Sequence, residues 1–300
     1  MKATRLHAYG DVGKFKHEHV PDPTPGRGEV LIKVAVSAVN HIDLYVRQGA
    51  VHQFLPLEHP SILGTDGAGT ISAIGPGVTG YKIGDRVIAH FSINGKGSHA
   101  EFAVAPVAGL AKLPANVSFE QGAALPLAGL TGRQAVDALK VKSGARVLVA
   151  GALGAVGRVA VQYLKELGAK PVAGVRRTQL SEGKALAGEA ISVDGAPSAP
   201  SFDYAVGASP AGVANAIKNV RNGGALASVV MIPNGANPGD RIKIINVMAK
   251  DDPAILEKVA AAAGHGQLNI PIAESYRLSE LDKAHTAMAA GAKGKLVVIH

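Results

Sequence analysis

The sequence predicts an α/β chain: a partly closed β-barrel domain followed by a doubly wound domain with a parallel sheet. Three observations predict it. Up to about residue 115, short aliphatic and β-branched runs alternate with glycine and proline turns, the pattern of a small barrel rather than of a helix-covered layer. Beyond that point strand-like and helical stretches alternate, which calls for crossover helices on a parallel sheet. Midway along the chain GALGAVG at 151–157 follows the apolar run VLVA at 147–150, placing a glycine turn between a strand and a helix.

The elements follow in order. VLIKVAV at 30–36, GTISAIG at 69–75 and RVIA at 86–89 read as strands, with Gly64, Gly67, Gly75, Gly77, Gly80 and Gly84 in the turns. The stretch 120–127 reads as helical, interrupted by Pro126, and a helix resumes over 132–139. A strand at 146–150, the glycine turn, a helix over 158–167 and a second strand at 171–175 come next. Further strands fit 190–193, 204–206 and 225–230, and then a helix over 253–263, an extended piece at 270–272, a helix over 278–290 and a closing strand at 295–299. The expected division is 1–115 for the barrel, 116–265 for the doubly wound domain and 266–300 for a closing tail.

Composition narrows the chemistry. With 300 residues the chain has room for two cores. It has no cysteine, which removes disulfides, thiolate metal ligands and cysteine nucleophiles together. The first residues, MKATRLHAYGDVGKF, lack the apolar centre of a secretory signal, and no apolar run is long enough to cross a bilayer. A soluble cytoplasmic protein without a membrane partner is expected. The net charge of +8 comes from dispersed residues, Arg176-Arg177 being the tightest pair, so a general solubility charge or a phosphorylated ligand explains it better than nucleic acid.

In the G-x-x-G-x-x-G spacing, Gly151 allows a tight turn after the strand. Gly154 with Ala155 and Val156 leaves bare backbone for a diphosphate, and Gly157 lets helix and strand pack closely. The helix start adds unpaired N–H groups and a partial positive charge. NAD sites place an acid at the end of the second strand, where it bonds the ribose hydroxyls. Here that stretch reads VAGVRRT at 172–178, with Arg176 and Arg177 in place of the acid. Guanidinium groups suit a 2′-phosphate, so the expected cofactor is NADPH, and with it hydride or electron transfer in an interdomain cleft.

On the substrate side, NHIDLY at 40–45 gathers polar groups. The Asn40 amide or the Tyr45 phenol could donate to a carbonyl oxygen as charge builds there. Asp43 is expected to cap the following helix or to pair with Arg47 at i,i+4, and His41 to have no special role. The histidines are scattered, with no H-E-x-x-H, and His59 and His90 lack local partners. No metal site is expected.

Taken together, NHIDLYVRQG at 40–49, GTDGAGTI at 64–71, GDRV at 84–87, LPLAGLT at 125–131, GALGAVG at 151–157 and GKLVV at 294–298 resemble the zinc-free medium-chain dehydrogenase/reductases of the quinone oxidoreductase, or zeta-crystallin-like, type. The resemblance implies a GroES-like catalytic barrel over 1–115, a Rossmann domain over 116–265, a tail over 266–300 that returns to the catalytic domain, and a homodimer. It implies NADPH-dependent reduction of quinones, or of related activated carbonyl or alkene compounds. It places Asn40 and Tyr45 near the substrate, Thr131 near the nicotinamide, Gly154, Ala155 and Val156 at the diphosphate, and Arg176 or Arg177 at the adenosine phosphate. Zinc-dependent relatives carry a cysteine near Asn40 and a His-Glu pair where this chain has Thr65-Asp66, and they insert a cysteine-bearing lobe where only 89–100 intervene. Two departures stand out: VVMIPNG at 229–235 lacks the early glycine usual there, and 232–252 holds no aromatic residue. An enone or enal reductase is the enzymatic alternative. A non-enzymatic NADPH-dependent binding or regulatory protein is the alternative of another class.

Overall fold

The computed structural model describes residues 1–194 and 200–300. In chain order the first elements are β1 (Lys2–Leu6), β2 (Phe15–His19), β3 (Glu29–Val39), α1 (His41–Gln48), β4 (Ser61–Ile62), β5 (Asp66–Ile74), β6 (Arg86–His90), β7 (Phe102–Pro106), β8 (Leu110–Lys112) and α2 (Phe119–Ala123). Then come α3 (Pro126–Leu139), β9 (Arg146–Ala150), α4 (Ala155–Glu166), β10 (Lys170–Val175), α5 (Leu180–Ala187), β11 (Ala190–Ser192), β12 (Phe202–Gly207), α6 (Pro210–Asn219), β13 (Val220–Ser228) and β14 (Lys243–Asn246). The chain closes with α7 (Pro253–Gly264), β15 (Ile272–Arg277), α8 (Leu281–Ala289) and β16 (Lys295–Ile299). Two compact units result: Met1–Leu127 with Asp251–His300, and Ala128–Lys250.

In the first unit a mostly antiparallel sheet runs β15-β16-β3-β5-β6-β8, with β7 also paired to β3, beside a small sheet β2-β1-β4. The closing strand β16 lies antiparallel to β3, with Leu296 opposite Val39 and Val298 opposite Ser37. The same strands contribute Val39, Leu296 and Val298 to a core completed by Leu44 of α1 and by Leu281, Ala284 and Met288 of α8. The tail is thus held by both ladder and core. Both α2 and α7 belong to this unit, so its edges lie at 127/128 and 250/251, whereas the change in sequence pattern points to 115/116 and 265/266.

The second unit is a six-stranded parallel sheet in the order β11-β10-β9-β12-β13-β14. The strand order reverses between β9 and β12, and ligands of such sheets bind beyond the strand ends at that reversal. β9 is buried on both faces, as a central parallel strand must be. Val147 and Val149 join Ala160, Val161 and Leu164 of α4, while Leu148 and Ala150 join Val213, Ala216 and Ile217 of α6. Each of these valine, leucine and isoleucine side chains contributes roughly 1.5–3 kcal/mol by leaving water.

Two helix starts differ from the sequence expectation. Pro126 begins α3 rather than interrupting a helix, because a first-turn residue has no use for the N–H that proline lacks. Gly132, inside that helix, has a steric reason: a Cβ there would lie 2.8 Å from the Val159 side chain and 2.9 Å from the Val156 carbonyl of α4. The second is α4, which starts at Ala155, three residues before the expected 158, with Gly154 as an extended N-cap at φ −74°, ψ 167°.

Candidate functional site

In the second unit, the turn from β9 into α4 is built by its glycines. Gly151 sits at φ +82°, where a side chain is strained. At Gly157 a Cβ would stand 2.1 Å from the Gly151 oxygen and 2.7 Å from the Ala152 Cα, so glycine is needed to close the helix onto the turn. Gly154 is different. It is exposed, its φ is ordinary, and a Cβ there would meet nothing nearer than the Gly151 oxygen at 3.4 Å. The protein's own packing does not require that glycine; the approach of a ligand to bare backbone would. Gly154 makes no side-chain cap, and among the described residues the N–H groups of Ala155, Val156 and Gly157 have no backbone acceptor, the first α4 bond being Arg158 N–H to Gly154 O at 2.9 Å. Three free donors at a helix start suit a diphosphate, so these residues fit a dinucleotide.

β10 pairs parallel with β9, Gly174 beside Ala150, so Arg176 and Arg177 follow a strand end adjacent to the turn. Both are exposed, and neither guanidinium bonds to a described residue. The sequence expectation missed one neighbour. Asp194, just past β11, accepts the Arg177 backbone N–H at 3.1 Å on each oxygen. Its carboxyl is held below the usual range by the Ser192 hydroxyl first and that N–H second. An acid therefore reaches the arginine pair from the third strand although the second strand ends without one. Thr131 is buried in α3, one residue before the close approach at Gly132.

In the first unit three strand ends meet. Val39 pairs with Leu296 and Ala38 with Asp66, so the residues at the ends of β3, β5 and β16 converge. Lys295, 4% exposed, is ion-paired with Asp66, 0% exposed, at 3.0 Å. Its ammonium also donates to Asn40 Oδ1 at 2.6 Å. Asn40 Nδ2 donates to Thr65 Oγ1 at 3.0 Å and Asp66 Oδ2 at 2.9 Å. The other Asp66 oxygen accepts the Leu127 N–H at 2.7 Å, in the first turn of α3. Both Asn40 N–H bonds are therefore engaged within the protein, and donation from Asn40 to a substrate requires releasing one of them. Tyr45, one turn along α1, is 45% exposed, and its hydroxyl bonds to no described residue.

Asp43 caps α1, accepting the Asn40 N–H at 2.8 Å. The alternative pairing with Arg47 does not form, because Arg47 turns to the Gly10 carbonyl at 2.5 Å. Burial pushes the Asp43 carboxyl from 3.8 up to about 7, with the nearby Asp66 charge adding to the rise and the Asn40 N–H and Lys295 opposing it. The folded chain thus keeps a proton that the unfolded chain releases above about pH 4. This contribution to stability is complete below that pH and is lost as pH rises through 7. Asp43→Asn is expected to raise the melting temperature relative to wild type progressively from pH 5 to pH 8; a difference independent of pH would refute the shift.

Among the described residues no three His, Cys, Asp or Glu side chains gather as a metal-ligating group. The Asn40–Thr65–Asp66 corner does not fit zinc: it offers one carboxylate, and the Lys295 ammonium already lies against it.

A GroES-like unit carrying a buried polar corner, combined in one chain with a Rossmann unit, defines a dehydrogenase-type protein. Residues 26–115 match the alcohol dehydrogenase GroES-like domain model, and residues 167–298 match the zinc-binding dehydrogenase model. The chain is 40% identical to the chloroplast envelope quinone oxidoreductase homolog of Arabidopsis thaliana over 172 residues, 55% of this chain and 52% of that protein. It spans about half the length of the curated relatives it matches. It superposes on the quinone oxidoreductase from Coxiella burnetii with a TM-score of 0.88 at 26% identity, covering 100% of this chain and 99% of that one. An NAD-dependent alcohol dehydrogenase gives the same TM-score at 27% identity over 100% of both chains. The chain belongs to the medium-chain dehydrogenase/reductase family.

Among the described residues no helix is long and apolar enough to cross a membrane.

Proposed function

We propose that this protein is an NADPH-dependent oxidoreductase that reduces quinones. The observation that carries the reading is the start of α4, where Gly154 keeps the backbone bare beside three N–H groups that have no backbone acceptor among the described residues, with the guanidinium groups of Arg176 and Arg177, which bond to no described residue, just past the end of the adjacent strand. The diphosphate is held by the N–H groups of Ala155, Val156 and Gly157, with Gly151 shaping the turn. Arg176 and Arg177 hold the 2′-phosphate; two guanidinium charges outweigh the single Asp194 carboxylate beside them. Thr131 lines the nicotinamide end. A bound reduced nicotinamide supplies the hydride.

On the substrate side, Tyr45 donates to the oxygen on which negative charge develops. Asn40 fixes the end of β3 from which α1 starts, through its bonds to Thr65, Asp66 and Lys295, and serves as a second donor if one bond is released. A hydroquinone anion takes its proton from water, so no strong general acid is required. The assembly is a homodimer, a reading supported by β14 as an open sheet edge near Met248, 78% exposed, and Met231, 92% exposed.

The test is the initial rate of NADPH and of NADH oxidation with 1,4-benzoquinone against controls without enzyme. Turnover is expected to favour NADPH at least ~10-fold, and replacing both arginines with alanine to remove that preference, since each charge-assisted bond is worth roughly 1.5–3 kcal/mol. Tyr45→Phe is expected to lower kcat about 10-fold or more. Light scattering on the same preparation reads a particle of twice 30.5 kDa. Preference for NADH would assign the adenosine end to Asp194, and no turnover with either cofactor would leave quinones aside in favour of enones.

A further inference from the structure

All 11 histidines of the chain lie in the first unit, and three of them, far apart in sequence, meet in its interior. His99 precedes β7, His285 lies on the buried side of α8, and His300 follows β16. His99 and His285 are both fully buried, with ring centroids 6.4 Å apart. The Ser37 hydroxyl of β3 lies between His99 Nδ1, at 2.9 Å, and His300 Nε2, at 2.8 Å. Phe15 of β2 packs at a steep angle on the His285 ring, 4.9 Å away.

This cluster suits neutral rings. A hydroxyl carries one proton, so Ser37 donates to one ring and accepts from the other. With both rings protonated, its O–H faces no acceptor. His99 Nε2 and both nitrogens of His285 are enclosed without a hydrogen-bond partner, so a proton added there becomes a buried charged donor with nothing to receive it. The surrounding charges do not offset it. His99 feels His285 and His300 themselves. His285 feels the Arg47 guanidinium of α1, which Asp11 faces. His300 feels Glu101, whose Oε2 already takes the Lys2 N–H at 2.7 Å. His17 of β2 stands off the cluster, on the Thr4 hydroxyl. Burial is the largest influence on all three rings: it holds His99 well below the ordinary imidazole range and pushes His285 down to about 3 and His300 to about 4.

We propose that His99, His285 and His300 form an acid-sensitive latch, which holds the returning tail of α8 and β16 on the barrel while the rings are neutral and opens it when they take protons. His285 and His300 belong to the tail, whereas Ser37 and His99 belong to the barrel. Opened rings bind protons below about pH 6.5 and closed ones do not, so the closed state is fully stable above that pH and loses stability as pH falls toward 4. Because β16 begins with Lys295, opening draws that ammonium away from Asp66 and Asn40. The polar corner thereby becomes pH-dependent. The latch rests on the packing of the first unit and is independent of the proposed quinone activity.

The test is amide hydrogen exchange of the full chain at pH 6.5, 6.0, 5.5 and 5.0, with intrinsic exchange rates divided out. Protection of the β16 amides is expected to fall about 400-fold between pH 6 and pH 5, close to tenfold for each of the three rings. Residues 128–250 contain no histidine, and protection of the β9 amides is expected to change less than about threefold over the same range. Asp43, at about 7, keeps its proton there and adds nothing to the slope. His41, lowered by burial and then by Lys295, is common to wild type and variants. His285→Phe keeps a ring against Phe15, and His300→Gln keeps a partner for Ser37. Each removes one titrating ring and is expected to reduce the fall to about 50-fold. A merely structural loss lowers protection equally at every pH and leaves that slope unmoved. If one variant fails to fold, the other is read; if both fail, the contrast between β16 and β9 in the wild type decides. The proposal is overturned by β16 protection that does not depend on pH, by an equal fall in β9, or by a folded variant whose slope equals that of wild type.

Discussion

Gly157→Ala is expected to destabilise the protein by roughly 3 kcal/mol or more, lowering the melting temperature by about 10 °C. The added methyl would lie 2.1 Å from the Gly151 oxygen, 2.7 Å from the Ala152 Cα and 2.8 Å from the Gly151 carbonyl carbon. All three are backbone atoms, so no rotamer change relieves the clash. The first turn of α4 must move away from the end of β9, and Ala160, Val161 and Leu164 lose their places in the core around Val147 and Val149. Gly154→Val is the counterpart. Its Cβ would meet only the Gly151 oxygen, at the ordinary contact distance of 3.4 Å, and its φ is ordinary, so the change in stability is expected to stay within about 1 kcal/mol. The side chain stands where a diphosphate would approach, and NADPH affinity is expected to fall at least ~10-fold, about 1.4 kcal/mol. Thermal denaturation and fluorescence titration of both variants decide the matter. A stable Gly157→Ala, or a Gly154→Val that binds NADPH as wild type does, would break the division of labour between the two glycines.

That division could not be read from the sequence, although the motif itself could. The turn is local: seven consecutive residues after an apolar run carry it, and strand, turn and helix follow from chain geometry. The parallel sheet was legible for the same reason, since each βα unit carries its own pattern. What escaped was long-range. Asp194 meets Arg177 across 17 positions, and only the parallel register of β10 and β11 puts an acid beside the arginine pair. Asn40 looked like a free amide donor, because nothing near it in sequence reveals that Thr65, Asp66 and Lys295 claim its polar atoms. The early hairpin of β1 and β2 also escaped: FKHEH at 15–19 is mostly polar and exposed, so its side chains give no alternating signal. Pro126 misled because proline reads as a breaker unless the helix start is already known.

Lys295→Met is expected to cost about 3–5 kcal/mol, because it leaves the Asp66 carboxylate buried without its cation. Lys295 and Asp66 are 229 positions apart and 3.0 Å from each other, joining the first residue of β16 to the first residue of β5. Asp66 also holds the first turn of α3 through the Leu127 N–H, so the loss is expected to spread to that helix start and to Asn40, whose Oδ1 loses its donor. Adding Asp66→Asn to Lys295→Met removes the second charge while keeping an oxygen for Leu127. The double variant is expected to be more stable than Lys295→Met alone, with a coupling of a few kcal/mol in the cycle. The same substitution removes a positive charge that opposes the rise of the Asp43 carboxyl, so in Lys295→Met that group should titrate higher still. Its stabilising proton is then retained to higher pH, and the pH by which the Asp43-dependent loss is complete moves upward. Denaturant unfolding of the four members of the cycle at pH 6 and pH 8 measures both effects. Strict additivity would mean that the pair is not a coupled ion pair, and an unmoved pH dependence would mean that Lys295 does not act on Asp43.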